Sequence, residues 1–298
     1  MRDCVFGVDA HYKSANAGNP ETKRVACVYG QQKNPMKNVL VDKVREGTRW
    51  LLRQPVVERF RQKHPRVVSF VSGRFDTRYF IGLPLTLMVL AGAVNISLLS
   101  NLTESVMESE WVVTVDEKFT AMLFAMRSTW LSQVLYAFTA LGDQLAVFVI
   151  GAVVTLIFLF RRKWVSLFAF WLAMGGVGLS VRFGKMIISR ERPADVAYYV
   201  VDHFSFPSGH ATTVTAMFGI LAYFLYRHLD EPWQRKLVIW VAVLLIVVVS
   251  FSRIYLGVHF LSDVLAGFLL GLMWLLVGIS LVEVMMYRKQ RYNNLHHS

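Results

Sequence analysis

Beyond Tyr79 the chain alternates long apolar stretches with short polar ones. No charged residue occurs from Tyr79 to Thr103, and the same holds for Gln144 to Phe160, Trp164 to Val181, His203 to Tyr226, Leu237 to Ser252 and Val264 to Val282. A helix rising about 1.5 Å per residue needs roughly 17–25 mostly apolar residues to cross a hydrocarbon core of about 30 Å. These stretches predict an all-α bundle of six membrane spans between residues 80 and 286, because a soluble core helix of that length keeps a polar stripe. Between the first two stretches, Trp111, Val115, Phe119 and Met122 recur at helical spacing opposite Asp116, Glu117 and Lys118. That pattern predicts an amphipathic helix, either lying in the membrane interface or packed on the bundle.

Residues 1–79 read as a basic N-terminal tail. Up to residue 35 they are polar, with no hydrophobic period and no cleavable apolar leader, which predicts disorder. From Met36, an alternative start, the pattern improves. Val44 to Phe75 reads as a basic amphipathic stretch able to lie on anionic headgroups. The tail holds 16 of the 32 Lys/Arg and 7 of the 20 acidic residues, so it carries nine of the twelve net positive charges. A basic third joined to a region too apolar for water argues against a nucleic-acid partner. Charged residues make up only 17% of the chain, whereas a soluble protein carries roughly 25%. Arg161-Arg162-Lys163, Arg227 with Arg235-Lys236, and the basic tail at 287–298 fall in alternate connections. By the positive-inside rule both termini are then cytoplasmic, and the connections around 104–140, 185–208 and 253–262 face outward. Cys4 and Cys27 make neither a disulfide framework nor a metal cluster.

The ionisable residues near the spans converge on that outward face. Lys185 ends the third span, Arg192-Pro193 follows it, Pro207-Ser208-Gly209-His210 opens the fourth, and Arg253, His259 and Asp263 lie between the fifth and sixth. If the chain after the third span stays helical, the seven-residue step from Lys185 to Arg192 puts both cations on one face, with Pro193 ending the helix. Three cations match a phosphate. A glycine at a helix start lets backbone N–H groups approach a phosphate oxygen closely. His259 and Asp263, four apart, suit a hydrogen bond that leaves the other imidazole nitrogen nucleophilic, and two histidines can share the roles of nucleophile and general acid. No metal-ligand set is evident, since the histidines stand among cations that would repel a metal. Arg182 and Arg190 fall outside the pattern and read as solvated or headgroup-facing. Tyr198, Tyr199, Phe204 and Phe206, crowded between the first two motifs, read as rings at headgroup level.

Together, Lys185, Arg192-Pro193, Pro207-Ser208-Gly209-His210, Ser252-Arg253, His259 and Asp263 resemble the three-part signature of the type 2 phosphatidate phosphatase (lipid phosphate phosphatase) family. The resemblance implies a metal-independent phosphatase without cofactor, acting on a lipid phosphate or diphosphate at the outer face of a bacterial-type inner membrane. Undecaprenyl diphosphate, phosphatidylglycerol phosphate and phosphatidate are the expected substrates. It implies His259 as the nucleophile that forms a phosphohistidine, Asp263 as its orienter and His210 as the acid. Lys185, Arg192, Ser208, Gly209 and Arg253 are implied as the phosphate cradle. The rival reading is a non-hydrolytic lipid-phosphate transporter or binding protein, which needs the cations but no nucleophile.

Overall fold

The computed structural model describes residues 63–65 and 82–296. The expectations for the tail (disorder to residue 35, an amphipathic stretch beyond it, a start at Met36) fall almost wholly outside these residues. Eight α-helices follow one another, with no strand among the described residues: α1 (Leu83–Glu108), α2 (Glu110–Ala125), α3 (Thr129–Thr139), α4 (Gln144–Phe160), α5 (Trp164–Ile188), α6 (Gly209–Tyr226), α7 (Pro232–Tyr255) and α8 (Leu261–His296). A short 3-10 turn, Ala140–Gly142, joins α3 to α4. Local chemistry marks several starts: Pro232 opens α7, and the Ser128 side chain caps α3 by accepting from the Leu131 N–H.

α1, α5, α7 and the Leu261–Asn293 part of α8 are long and apolar enough to cross a membrane; α3 with α4, bent by 48° between them, makes a fifth span if the pair is one. The expected six is not reached on this criterion because of α6. Its first two turns carry His210, Thr212, Thr213 and Thr215, which lower its hydropathy. The reason lies in its position. α6 packs against α8, α7 and α5, and Ala211, Thr212, Val214, Ala216, Met217 and Ile220 are wholly buried. A helix shielded by its neighbours meets little lipid and tolerates threonines that bond back to their own helix, as Thr212 and Thr215 do. The lipid-facing character belongs to the outer helices, where Leu87 and Leu90 of α1 and Trp240 and Leu244 of α7 are exposed.

Close approach of α6 and α8 depends on glycine. A Cβ at Gly271 would stand 2.6 Å from the Thr212 carbonyl oxygen and 2.7 Å from the Thr215 Cβ. Small residues at such contacts let backbones meet. Gly271→Ala is therefore expected to cost about 1–3 kcal/mol, read as a lower unfolding temperature in detergent, whereas Gly92→Ala should cost little. Gly92 on α1 has nothing within 4 Å of the added atom. Equal effects at the two positions would refute this account of the packing.

The C-terminal ends of α5 and α7 and the N-terminal ends of α6 and α8 lie at one end of the bundle. Arg161–Lys163, Arg227, Arg235 and Lys236 lie at the other. α8 runs unbroken through residue 286 to His296, so the segment expected to be a tail begins as helix.

Candidate active site

α5 stops short of its sequence expectation. It ends at Ile188, and Ser189 takes a left-handed conformation at φ 46°. Lys185 thus stays on the helix while Arg192 sits in the loop beyond. The two approach because the loop folds back, not because two helical turns separate them. Both line one cavity of about 800 Å³. Two contacts seat the loop: Tyr198 N–H donates to the Leu256 carbonyl (2.8 Å), and Arg127 donates to the carbonyls of Val196 (2.7 Å) and Tyr255 (2.9 Å). Gly257 makes room at the seam. Its φ is 69°, and a Cβ there would stand 2.4 Å from the Val196 oxygen, so only glycine fits.

The three segments singled out in the sequence meet here. Ser208 stands immediately before α6, wholly buried, and its N–H donates to the Asp263 backbone carbonyl (3.0 Å). Gly209 and His210 begin the helix and, with Lys185, line a cavity of about 430 Å³. Arg253 in the last turn of α7 is buried and donates to Thr139 Oγ1 (2.9 Å) and to the Tyr199 hydroxyl. Burial pushes the Tyr199 phenol up, so it stays neutral beside the guanidinium. Arg192 donates to the carbonyls of His203 (2.6 Å) and Val258, and its Nη1 stands 3.3 Å from His259 Nε2.

His259 lies in the turn before α8 and is 1% exposed. Its Nδ1 is 3.4 Å from Asp263 Oδ2, a looser pairing than the hydrogen bond expected. That oxygen accepts instead from the Phe260 N–H (2.9 Å). Burial holds the imidazole well below its ordinary value, and Arg253, Arg192 and Lys185 push the same way. It is therefore a neutral base among cations. Among the described residues, Lys185, Arg192 and Arg253 have no carboxylate within 4.0 Å. Arg253 Nε, Ser208 Oγ and His259 Nδ1 are buried without a protein hydrogen-bond partner. Such atoms are costly in a low-dielectric interior unless a ligand meets them. Three unbalanced cations and two unmet donors describe an anion site.

Several residues that shape this site escaped the sequence reading. Arg190, expected to be solvated, donates through Nη1 to Asp263 Oδ1 (2.8 Å) and through Nη2 to Asp116 Oδ2 (2.7 Å). Asp116, expected on the polar outer face of its helix, is 2% exposed, while Trp111, Val115 and Met122 of the same helix point outward. Asp143 holds His210 Nε2 at 2.7 Å. Of the four loop aromatics, only Tyr198 and Phe204 are exposed; Phe206 is buried beside Val112 and Ala266, and Tyr199 serves Arg253. The one available signal was the cost of Arg190 and Asp116 so near a membrane, which asks for partners.

Comparison with known proteins finds the following. The PAP2 superfamily profile matches residues 162–287. Phosphatidylglycerophosphatase B of Bacillus subtilis (strain 168) is 35% identical over 167 residues, 54% of this chain and 80% of that protein. Lipid A 4'-phosphatase of Porphyromonas gingivalis is 31% identical over 124 residues, 38% of this chain and 48% of that protein. The crystal structure of a transmembrane PAP2-type phosphatidylglycerolphosphate phosphatase from Bacillus subtilis gives a TM-score of 0.59 at 30% identity, covering 63% of this chain and 94% of that one.

Proposed function

The chain belongs to the PAP2 superfamily, and from that premise we propose that it is a membrane lipid phosphatase working through a phosphohistidine on His259. The carrying observation is the neutral, buried His259 with Asp263 behind it and three unbalanced cations around it. Binding alone needs the cations but gains nothing from burying an imidazole beside a carboxylate, so the transporter or binding-protein reading has no observation of its own.

In the first step the His259 Nε2 lone pair attacks phosphorus. The N–P bond forms, the P–O bond to the lipid breaks, and His210 gives a proton to the leaving oxygen. In the second, a water oxygen attacks the phosphohistidine as His210 takes its proton, and the N–P bond breaks to release phosphate. Asp263 faces Nδ1 and stabilises the positive ring. Lys185, Arg192 and Arg253 match the charge on the equatorial oxygens, and Ser208 with the Gly209 N–H at the start of α6 completes the cradle. Packing alone does not demand glycine at 209, since a Cβ would meet only Val181 at 3.4 Å. A closely bound phosphate supplies the reason. Cations in the cradle disfavour a catalytic metal.

A lipid substrate is supported by the 430 Å³ cavity, whose polar end at Lys185 and His210 continues into Val147, Phe148, Met174 and Val177 of two spans. Phosphate thus reaches the cations while a chain stays among apolar walls. We count α6 as a sixth span, with the site facing outward and both termini cytoplasmic, since the basic connections lie at the opposite end. The test is phosphate release in detergent, with chelator present, from phosphatidylglycerol phosphate, phosphatidate, undecaprenyl diphosphate and glycerol phosphate. At least one lipid is expected to exceed glycerol phosphate in kcat/KM by about 100-fold or more. Equal efficiencies would overturn the lipid assignment. Loss of activity to chelator, restored by a divalent ion, would overturn the metal-free cradle.

A further inference from the structure

Asp263 divides its two oxygens. Oδ2 serves the nucleophile side, accepting from Phe260 N–H and facing His259 Nδ1. Oδ1 accepts from Arg190 at 2.8 Å. Arg190 Nη1 also donates to Ser262 Oγ (2.7 Å), and its guanidinium lies over the Phe260 ring at 4.3 Å. Its Nη2 reaches Asp116, which further accepts from the Ser262 N–H (3.0 Å) and hydroxyl (2.5 Å). Asp116 and Asp263, with side-chain exposures of 2% and 0%, are out of water, and Arg190 between them is 12% exposed.

We propose that Arg190 and Asp116 are positioning residues for the reaction: a carboxylate–guanidinium–carboxylate bridge from α2 that locks Asp263 so that Oδ2 stays turned to His259. The inference rests on His259 being the nucleophile. A buried carboxylate left alone is expensive, and a single hydrogen bond would let it rotate. The planar fork of Arg190, stacked on Phe260 and bonded on both sides, fixes that rotation. Asp116 has a second effect. Without it, Asp263 would be the one carboxylate left on Arg190, and a bound phosphate would compete with Asp263 for the guanidinium. With it, two carboxylates offset Arg190, and the cradle stays at three cations. α2, whose outward face is Trp111, Val115 and Met122, is thereby part of the active site although none of its residues meets the phosphate.

The test is a double-mutant cycle on kcat and KM with phosphatidate in detergent, using Arg190→Gln, Arg190→Lys and Asp116→Asn, each also combined with Asp263→Asn. Arg190→Gln is expected to lower kcat by about 10–100-fold with KM nearly unchanged, as loss of an outer partner does elsewhere. Arg190→Lys should recover part of that loss, and Asp116→Asn should lower kcat by about 10-fold. In the Asp263→Asn background the same changes should add little, because they act through Asp263. Full multiplication of the losses in that background would overturn the proposal, as would a raised KM at constant kcat, the signature of a direct phosphate contact. Intact turnover in Asp263→Asn would overturn the bridge, whereas intact turnover in His259→Ala would overturn the nucleophile assignment on which it rests, so the two failures are distinguishable.

Discussion

His259→Ala is expected to lower phosphate release by about 10⁴-fold or more, since the first covalent step loses its nucleophile and other members of the site cannot substitute. Asp263→Asn should cost about 10²–10⁴-fold, because an amide neither holds the Nδ1–H tautomer nor stabilises a positive ring. Asp263→Asn keeps the volume of its site, whereas His259→Ala leaves a gap where a buried imidazole stood; size-exclusion chromatography of each variant separates loss of chemistry from loss of fold. The pH response follows from burial. His259 is held well below 6.5, so the nucleophile remains unprotonated as pH falls through the ordinary histidine range, and activity should persist there. Retention of more than about 1% of activity by His259→Ala would sink the phosphohistidine route.

His210→Ala is expected to separate the two chemical steps. Loss of the general acid should lower kcat on a lipid monoester by about 10²–10⁴-fold, because the leaving alkoxide then departs unprotonated. An aryl phosphate needs no such proton, so the variant should still be phosphorylated by it and then stall, since His210 also activates the water. Quenching in alkaline denaturant after incubation with aryl phosphate labelled on phosphorus should retain a base-stable phosphoenzyme, lost on later acid treatment, that accumulates in the variant and not in the parent chain. Equal losses on alkyl and aryl substrates, with no label retained, would remove His210 from the role of acid. The Asp143 carboxylate, 2.7 Å from His210 Nε2, holds the ring at the mouth of the 430 Å³ cavity.

Much of this site was legible in the chain because the relevant quantities are local. Transfer free energy is a sum over consecutive side chains, so the apolar runs starting at Gln144 and Trp164 coincide with the first residues of α4 and α5. The eight residues that the resemblance implies as catalytic or as cradle could be placed at one end of the bundle from the order of the spans alone, and the structure brings them together there. The amphipathic helix before α3 was also visible in its period, and it is present as α2.

What the linear pattern left undecided is which charge meets which. A carboxylate such as Asp116 looks solvated when read against its own helix, yet its partners Arg190 and Ser262 lie 74 and 146 residues away. Whether Lys185 and Arg192 share a face depended on one left-handed residue, Ser189, and on a loop anchored by Arg127 and Gly257. The burial of Phe206 and the engagement of Tyr199 by Arg253 likewise follow from packing between distant elements. The sequence determined an all-α membrane bundle, its order of segments and the chemical inventory of the site, because hydropathy and motif spacing are properties of neighbouring residues. The tertiary structure decided the balance of charge, leaving Lys185, Arg192 and Arg253 without a carboxylate partner among the described residues and binding Arg190 between two carboxylates, because ion pairing depends on distances that only the folded chain sets.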